Sequence, residues 1–191
     1  DGGFLVINAA DALTEPGVTV FSQTRRPTLA DAALDGTIAQ IHHCIADLLG
    51  DANARQLAIA GIGVGVPGAI DIDRGVVFHP PNLPAWQEVP LAELLREKWN
   101  LPVRVDNDAN CAALGEAHFG AGRVHENFIG LTLGTGVGSG IILDNHIYHG
   151  QRGFAGEFGH ISIDLNGNPC NCGNRGCIEA YVGIHYMMQE A

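Results

Sequence analysis

Residues Asn168–Cys177, NPCNCGNRGC, hold three of the chain's five cysteines. Cys170, Cys172 and Cys177 follow a C-x-C-x4-C spacing, and His160 lies a short way upstream. Three thiolates and one imidazole make a Cys3His set, a usual closed shell for structural zinc. The competing reading is a disulfide or free thiols. Three neighbouring cysteines leave one over when two pair, and Cys170 and Cys172 are badly placed to pair with each other. In a reducing compartment, closely spaced cysteines bind metal more often than they cross-link.

Glu157 and Glu179 bracket this segment. A lone glutamate is ordinarily a solvated surface residue. Two acids around a metal loop, with His160 between them, can instead form a polar pocket. Its carboxylates would accept hydrogen bonds from paired hydroxyls, as a neutral sugar requires. A second group is DNDAN, 106–110, which puts Asn107 and Asp108 at the end of a strand and the start of a helix. Ligands of open α/β sheets bind beyond the carboxyl ends of strands, and a carboxylate there can act as general base toward a hydroxyl. Asp and Asn are also the best helix N-caps, so capping is the plainer reading, and the two roles are compatible.

A third group is LGTGVGSG, 133–140, where Gly134, Gly136, Gly138 and Gly140 alternate and Thr135 sits between the first two. Backbone N–H groups without side chains around them approach phosphate closely. The segment is neither a P-loop nor a dinucleotide fingerprint, and a plain glycine-rich hairpin explains it equally well. In HPPNLPAW, 79–86, Asn82 either shapes a pocket or belongs to a rigid loop. His42, His43 and Cys44 read as packing or surface residues, and Cys111 as a small buried hydrophobe.

The elements that must position these residues alternate. FLVINAA reads as a strand and VTVFSQTRRP as a second strand running to Pro27. Apolar residues at Ala33, Ile38, Ile41, Ile45 and Leu48–Leu49 have helical spacing within 30–49. LAIAGIGVGVPGAID, 57–71, reads as a buried strand entering a loop, and 75–86 as a short strand and a proline-rich loop. Helices are expected over 90–100, with Pro90 in the first turn and Asn100 at the end, and over 109–122. A short strand at 102 onward separates them. Residues 127–150 read as strand, glycine-rich turn and strand, with Asp144–Asn145 opening a further hairpin. This is the alternation of an α/β fold. A domain change near 115–125 gives a first domain of 1–117 and a second beginning at 118.

The chain has 191 residues, 46% of them hydrophobic and 16% charged, as in ordinary globular proteins. Lys and Arg number 10 against 21 Asp and Glu, a net charge of −11. Such a surface repels phosphate backbones, so nucleic acid is not an expected partner. It does not forbid a nucleotide held by a local glycine-rich turn. No apolar run is long enough for a membrane span, and no basic-then-apolar leader opens the chain. The expected location is cytoplasmic.

In chain order VDNDANCAALGE, LGTGVGSGI and GEFGHISIDLNGNPCNCGNRGCIEA resemble the ROK family of repressors, open-reading-frame proteins and sugar kinases, over roughly 57–183. The resemblance implies a ribonuclease-H-like, actin/hexokinase-type ATPase fold of two domains with a sugar cleft between them. It implies that Asp108 is the catalytic base toward a sugar hydroxyl that attacks the γ-phosphate of ATP. Asn107, Asp108, Glu157, His160 and Glu179 then resemble the sugar-binding set, joined by Asn82, and Gly134, Thr135, Gly136 and Gly138 the phosphate loop. Structural Zn2+ would rest on His160, Cys170, Cys172 and Cys177, with the second imidazole nitrogen toward sugar. Mg2+ would arrive with ATP. PPNLPAW followed by VPLAELL resembles glucokinases, so glucose is the simplest substrate. N-acetylmannosamine, N-acetylglucosamine, mannose and fructose are alternatives, as is a non-catalytic sugar-sensing regulator. Family repressors carry a helix-turn-helix ahead of the sugar domain and often alter the Asn-Asp turn or the glycine loop. This chain begins without room for the former and keeps the latter two, which favours a kinase. The family also implies a homodimer. Two departures stand out: Asp1-Gly2-Gly3 keeps only part of an Asp-x-Gly-Gly-Thr loop, and the chain ends at Ala191 where family chains continue. The second domain and the adenosine side are therefore expected to be incomplete.

Overall fold

The computed structural model describes residues 5–9, 22–24, 26, 33–80 and 83–188. Asp1-Gly2-Gly3, Asn82 and most of the expected second strand at 18–27 lie outside the described residues. The chain divides into two compact units, Asp1–Asp108 and Ala109–Ala191.

In the first unit β1 (Leu5–Ala9) runs antiparallel to β2 (Ile59–Val66), which runs parallel to β6 (Val103–Asn107). Strand residues alternate between faces, so Ile62, Val64 and Val66 of β2 and Val103 and Val105 of β6 form one buried layer. Register pairs Ile62 with Val103, Val64 with Val105 and Val66 with Asn107. The same row that builds the core therefore ends at a polar residue, at the carboxyl end of both strands. The run 57–71 is two strands rather than one strand and a loop. The chain turns after Val66 into β3 (Ala69–Asp71), which pairs with β4 (Val76–Phe78) and then β5 (Glu88–Val89) in a second small sheet. β5 falls beyond the proline-rich stretch, where neither alternation nor β-branched residues announce a strand.

Two helices cover this unit. α1 spans Leu34–Ala54, running beyond the periodicity that ends at Leu49. Gly50 does not stop it, because Ala52 on the next turn is buried. α2 spans Leu91–Trp99, preceded by Pro90 and ended by Asn100 in the left-handed conformation (φ 51°), as expected from sequence. Ile45 of α1, Leu91, Ala92 and Leu95 of α2, and Val77, Trp86 and Val89 pack together almost entirely shielded from solvent. At the rim the Trp99 indole Nε1–H donates to His42 Nδ1 at 3.0 Å, tying α2 to α1. Burial, with smaller effects from Lys98 and His43, pulls the His42 pKa below its ordinary 6.5. The neutral ring that the tryptophan needs as acceptor is thus the favoured form.

The second unit opens with α3 (Asp108–Phe119), whose first residue is the last of unit one. The helix ends before the expected 122: the Gly120 N–H bonds to Glu116 O, the Ala121 N–H bonds to the Glu116 carboxylate, and a 3-10 turn follows at Ala121–Val124. β7 (Phe128–Leu133), β8 (Val137–Leu143) and β9 (His146–Ile147) form an antiparallel sheet in that order. Asp144 and Asn145 turn β8 into β9, both with positive φ, as a two-residue hairpin requires. Two short helices, α4 (Glu179–Val182) and α5 (Ile184–Met187), follow the cysteine segment.

α3 lies against the β7–β8 pair along a seam of alanines and glycines. A Cβ on Gly140 would sit 2.6 Å from Ala113 Cβ and 3.0 Å from Ala109 O, and one on Gly138 would sit 2.9 Å from Ala109 Cβ. The alternating glycines and the alanine-rich helix are two halves of one contact. No helix among the described residues is long and apolar enough to cross a membrane.

Gly140→Ala is expected to cost about 1–3 kcal/mol, because the new methyl meets backbone as well as a side chain; chemical denaturation measures it. The His42 contact stabilises fully above pH 6.5 and is lost as pH falls through the depressed folded-state value. Melting temperature should accordingly fall more steeply with acidification in the native chain than in His42→Gln. Parallel curves would show that His42 does not titrate against this contact.

Candidate functional site

Asn107 is the last residue of β6 and Asp108 the first of α3. No loop separates strand from helix, so both side chains are placed by regular backbone. Asn107 is half-buried; its Nδ2 donates to Gly68 O at 3.4 Å, and its N–H donates to Asp106 Oδ1 at 2.7 Å. Asp108 is exposed in the first helical turn, where a carboxylate meets the positive end of the helix dipole. The carboxylate is thereby placed at the carboxyl end of the parallel pair.

The cysteine segment in unit two is short, irregular and tightly tied. Cys170 N–H donates to Asn174 O, Gly173 N–H to Cys170 O and Gly176 N–H to Asn168 O. The resulting loop is pinned to residues 161–164: Ile163 N–H donates to Gly176 O, and Ile178 N–H to Ile161 O. Gly176 has φ 66°, and a side chain there would run into the Asp164 carbonyl. This folding brings His160, Cys170, Cys172 and Cys177 into one cluster whose ligand atoms all lie within 4.8 Å of one another. Zn–S bonds of about 2.3 Å in a tetrahedron put sulfurs about 3.8 Å apart; Cys172 and Cys177 Sγ are 3.7 Å apart, and Cys170 Sγ is 3.8 Å from His160 Nδ1. All three thiols are free, and no disulfide joins them. The spacing and the soft donor set fit a four-coordinate zinc ion. Burial, reinforced by the neighbouring thiols, pushes Cys177 up to about 12. For Cys172 burial is outweighed by the Asn174 N–H and the other thiols, and its pKa falls below the usual thiol value.

His160 presents two different nitrogens. Nδ1 faces Cys170 Sγ, while Nε2 lies 4.0 Å from Glu157 Oε2. A cation on Nδ1 would hold the ring in one orientation with Nε2 outward beside an exposed carboxylate. Glu157 sits just before the 3-10 turn Phe158–His160. A residue that sequence reasoning missed anchors this turn: buried Ser139 donates its hydroxyl to Gly156 O and accepts from the Phe158 N–H. One serine among the glycines of β8 was its only signal.

Glu179 opens α4, and its Oε2 accepts from the Val137 N–H at 2.8 Å. It therefore reaches the glycine-rich turn between β7 and β8, where Gly134 N–H donates to Gly136 O and Thr135 stands exposed at the tip. Of the four residues assigned to this segment, Gly134, Thr135 and Gly136 form the turn, and Gly138 lies within β8 against Ala109 and Thr132. Within unit two the structure brings together the four candidate ligands, Glu157, Glu179 and the turn. Asn107 and Asp108 stand at the end of unit one. Tyr186, also unforeseen, receives the Asn171 N–H on its hydroxyl and so ties α5 to the cysteine loop.

The ROK family pattern matches residues 14–186. The chain belongs to the ROK family. It is 44% identical over 156 residues to the xylose repressor of Bacillus subtilis, covering 82% of this chain and 39% of that protein. It is 47% identical over 152 residues to the glucokinase of Halalkalibacterium halodurans, covering 79% of this chain and 42% of the other. Among solved structures, the ROK glucokinase from Streptomyces griseus in complex with glucose and AMPPNP is 38% identical and superposes with a TM-score of 0.71, over 82% of this chain and 48% of that one. The fold is thus the α/β actin/hexokinase type of the ROK kinases. The chain spans less than half the length of these relatives.

Metal analysis of protein purified without chelator is expected to find a single Zn2+ per chain. Since the buried Cys177 thiol must lose its proton to bind, affinity should fall as pH is lowered. Protein free of metal and indifferent to added Zn2+ would contradict the fit.

Proposed function

We propose that this chain supplies the sugar-binding and phosphate-binding part of an ATP-dependent hexose kinase, glucose being the simplest substrate. The observation that carries the reading is Asp108: an exposed carboxylate on the first turn of α3, directly after Asn107 at the end of β6. Glucokinases at 47% and 38% identity support it.

In this reading Asp108 accepts the proton of the sugar hydroxyl. The hydroxyl oxygen bonds to the γ-phosphorus, the bond to the β,γ-bridging oxygen breaks, and ADP leaves with its electron pair. Positioning and neutralisation of charge do most of the work in such transfers. Asn107, Glu157, His160 through Nε2, and Glu179 orient sugar hydroxyls, charged acceptors making the stronger bonds. Asn82 joins this set by resemblance alone. Backbone amides around Gly134, Thr135, Gly136 and Gly138 face phosphate, and Mg2+ accompanies ATP. Zinc on His160, Cys170, Cys172 and Cys177 supplies structure and takes no part in the transfer.

A second reading has its own support. The Bacillus subtilis xylose repressor is 44% identical over 82% of the chain. In that reading the same residues sense a sugar without phosphorylating it. N-acetylmannosamine, N-acetylglucosamine, mannose and fructose remain within the hexose reading.

ADP release from ATP and Mg2+ across hexoses, N-acetylhexosamines and xylose distinguishes these. The kinase reading expects turnover with one or a few hexoses, and a drop of at least about a hundredfold in Asp108→Asn with sugar binding retained. Binding of xylose by thermal shift, with no ADP released for any sugar by this chain or a longer natural form, would favour the sensor.

A further inference from the structure

Glu179 has a second attachment that sugar binding does not require. Its Oε2 accepts the Val137 N–H at 2.8 Å, at the point where the glycine-rich turn enters β8. The carboxylate lies close over Gly136, where a Cβ would have to displace it. The same α4–α5 segment holds the other side of the turn, since Ile184 N–H donates to Gly134 O at 3.0 Å. A Cβ on Gly183 would lie 3.2 Å from Thr135 O. The turn is thus held at Gly134 and at Val137, by a backbone bond and a side-chain bond from one short helical pair.

That pair is in turn held by the cysteine loop. Glu179 follows Cys177 by two residues, Ala180 N–H donates to Cys177 O at 2.9 Å, and Ala180 packs with Cys170 and Cys177 in one buried cluster. Asn171 N–H donates to Tyr186 Oη at 2.8 Å, and Asn168 Nδ2 donates to Ala180 O at 3.3 Å. Both α4 and α5 have four residues, too few to hold a helical geometry unaided. Their position is set by what they are tied to.

We propose that Glu179 is a positioning residue that couples the metal-binding loop to the glycine-rich turn, so that occupancy of the Cys3His cluster sets the conformation of the turn offered to phosphate. This rests on reading the cluster as a zinc site and the turn as a phosphate loop. Loss of metal frees Cys170 and Cys177, α4 loses its anchor, and the Val137 N–H loses its acceptor. The metal then acts on phosphate binding without touching phosphate.

Amide hydrogen exchange on the full chain tests this, with zinc content measured on the same samples. In the zinc-loaded chain Val137 should be protected. In Glu179→Ala its protection should fall at least about tenfold, the loss expected for a bond to a charged acceptor, while zinc content and the protection of Ile142 in mid-β8 stay unchanged. Glu179→Gln, which keeps an acceptor oxygen, should restore part of the protection. Stripping zinc from the native chain should reproduce the Glu179→Ala pattern. Unchanged Val137 protection in Glu179→Ala overturns the role of Glu179. Unchanged protection after proven loss of zinc overturns the coupling and leaves the zinc site standing. A chain that takes up no zinc overturns the metal reading itself, and with it the coupling.

Discussion

Three thiols and an imidazole converging within 4.8 Å are the constraint on which the second unit depends. The loop that carries them has no regular secondary structure and buries little apolar surface, chiefly Cys170, Cys177 and Ala180. Ordering a loop costs roughly 1–2 kcal/mol per residue in backbone entropy, and so small a cluster offsets little of it. Backbone bonds to residues 161–164 and the convergence of four ligands must supply the rest. A bound cation would turn that convergence into folding free energy. Without one, the buried Cys177 thiol stays protonated beside its neighbours.

The seam between α3 and the β7–β8 pair answers a different need. The helix begins at Asp108, directly after β6, with no connecting loop. It lies against the next sheet where the helix presents alanines and the strands present glycines. Alanines at 109 and 113 face glycines at 130, 138 and 140 so closely that an added methyl at 138 or 140 would meet an alanine Cβ, and at 140 backbone as well. Glycine alternation that could serve phosphate alone therefore also serves packing in β8. The first unit is built conventionally by contrast, around branched aliphatic residues and Trp86 with almost no solvent exposure. The polar, half-buried Asn107 falls at the end of the buried row, where register rather than composition puts it.

A ROK chain with an Asn-Asp step and a glycine-rich turn, related comparably to glucokinases and to xylose repressors, shows how little of this scaffold is specific to catalysis. Sensing and phosphorylating a sugar both need its hydroxyls to be bound, and charged acceptors make the stronger hydrogen bonds. In the proposed reading they differ in whether phosphate is brought to the sugar at the Gly134–Gly136 turn. The Glu179–Val137 bond makes the shape of that turn answer to the cysteine loop rather than to the hairpin alone.

Much of this was legible in the sequence because it depends on local chemistry. The C-x-C-x4-C spacing with His160 upstream marked the ligand set, since close-spaced thiols have few other uses. Asn100 and the Asp144–Asn145 pair marked a helix end and a hairpin, since few residues tolerate left-handed backbone. Helical spacing marked α1, Pro90 and Asn100 bracketed α2, and apolar runs around a glycine-rich turn marked β7 and β8. Other features were decided only by tertiary structure. β5 exists because β4 offers it an edge, and α1 continues past Gly50 because Ala52 finds a core. Ser139 and Tyr186 matter because distant backbone N–H groups reach their hydroxyls. Glu179 was legible as one of two acids bracketing the cysteine loop; its link to Val137, forty-two positions away, was not. No local pattern encodes such a bond, because its partner is a backbone amide that every residue but proline carries.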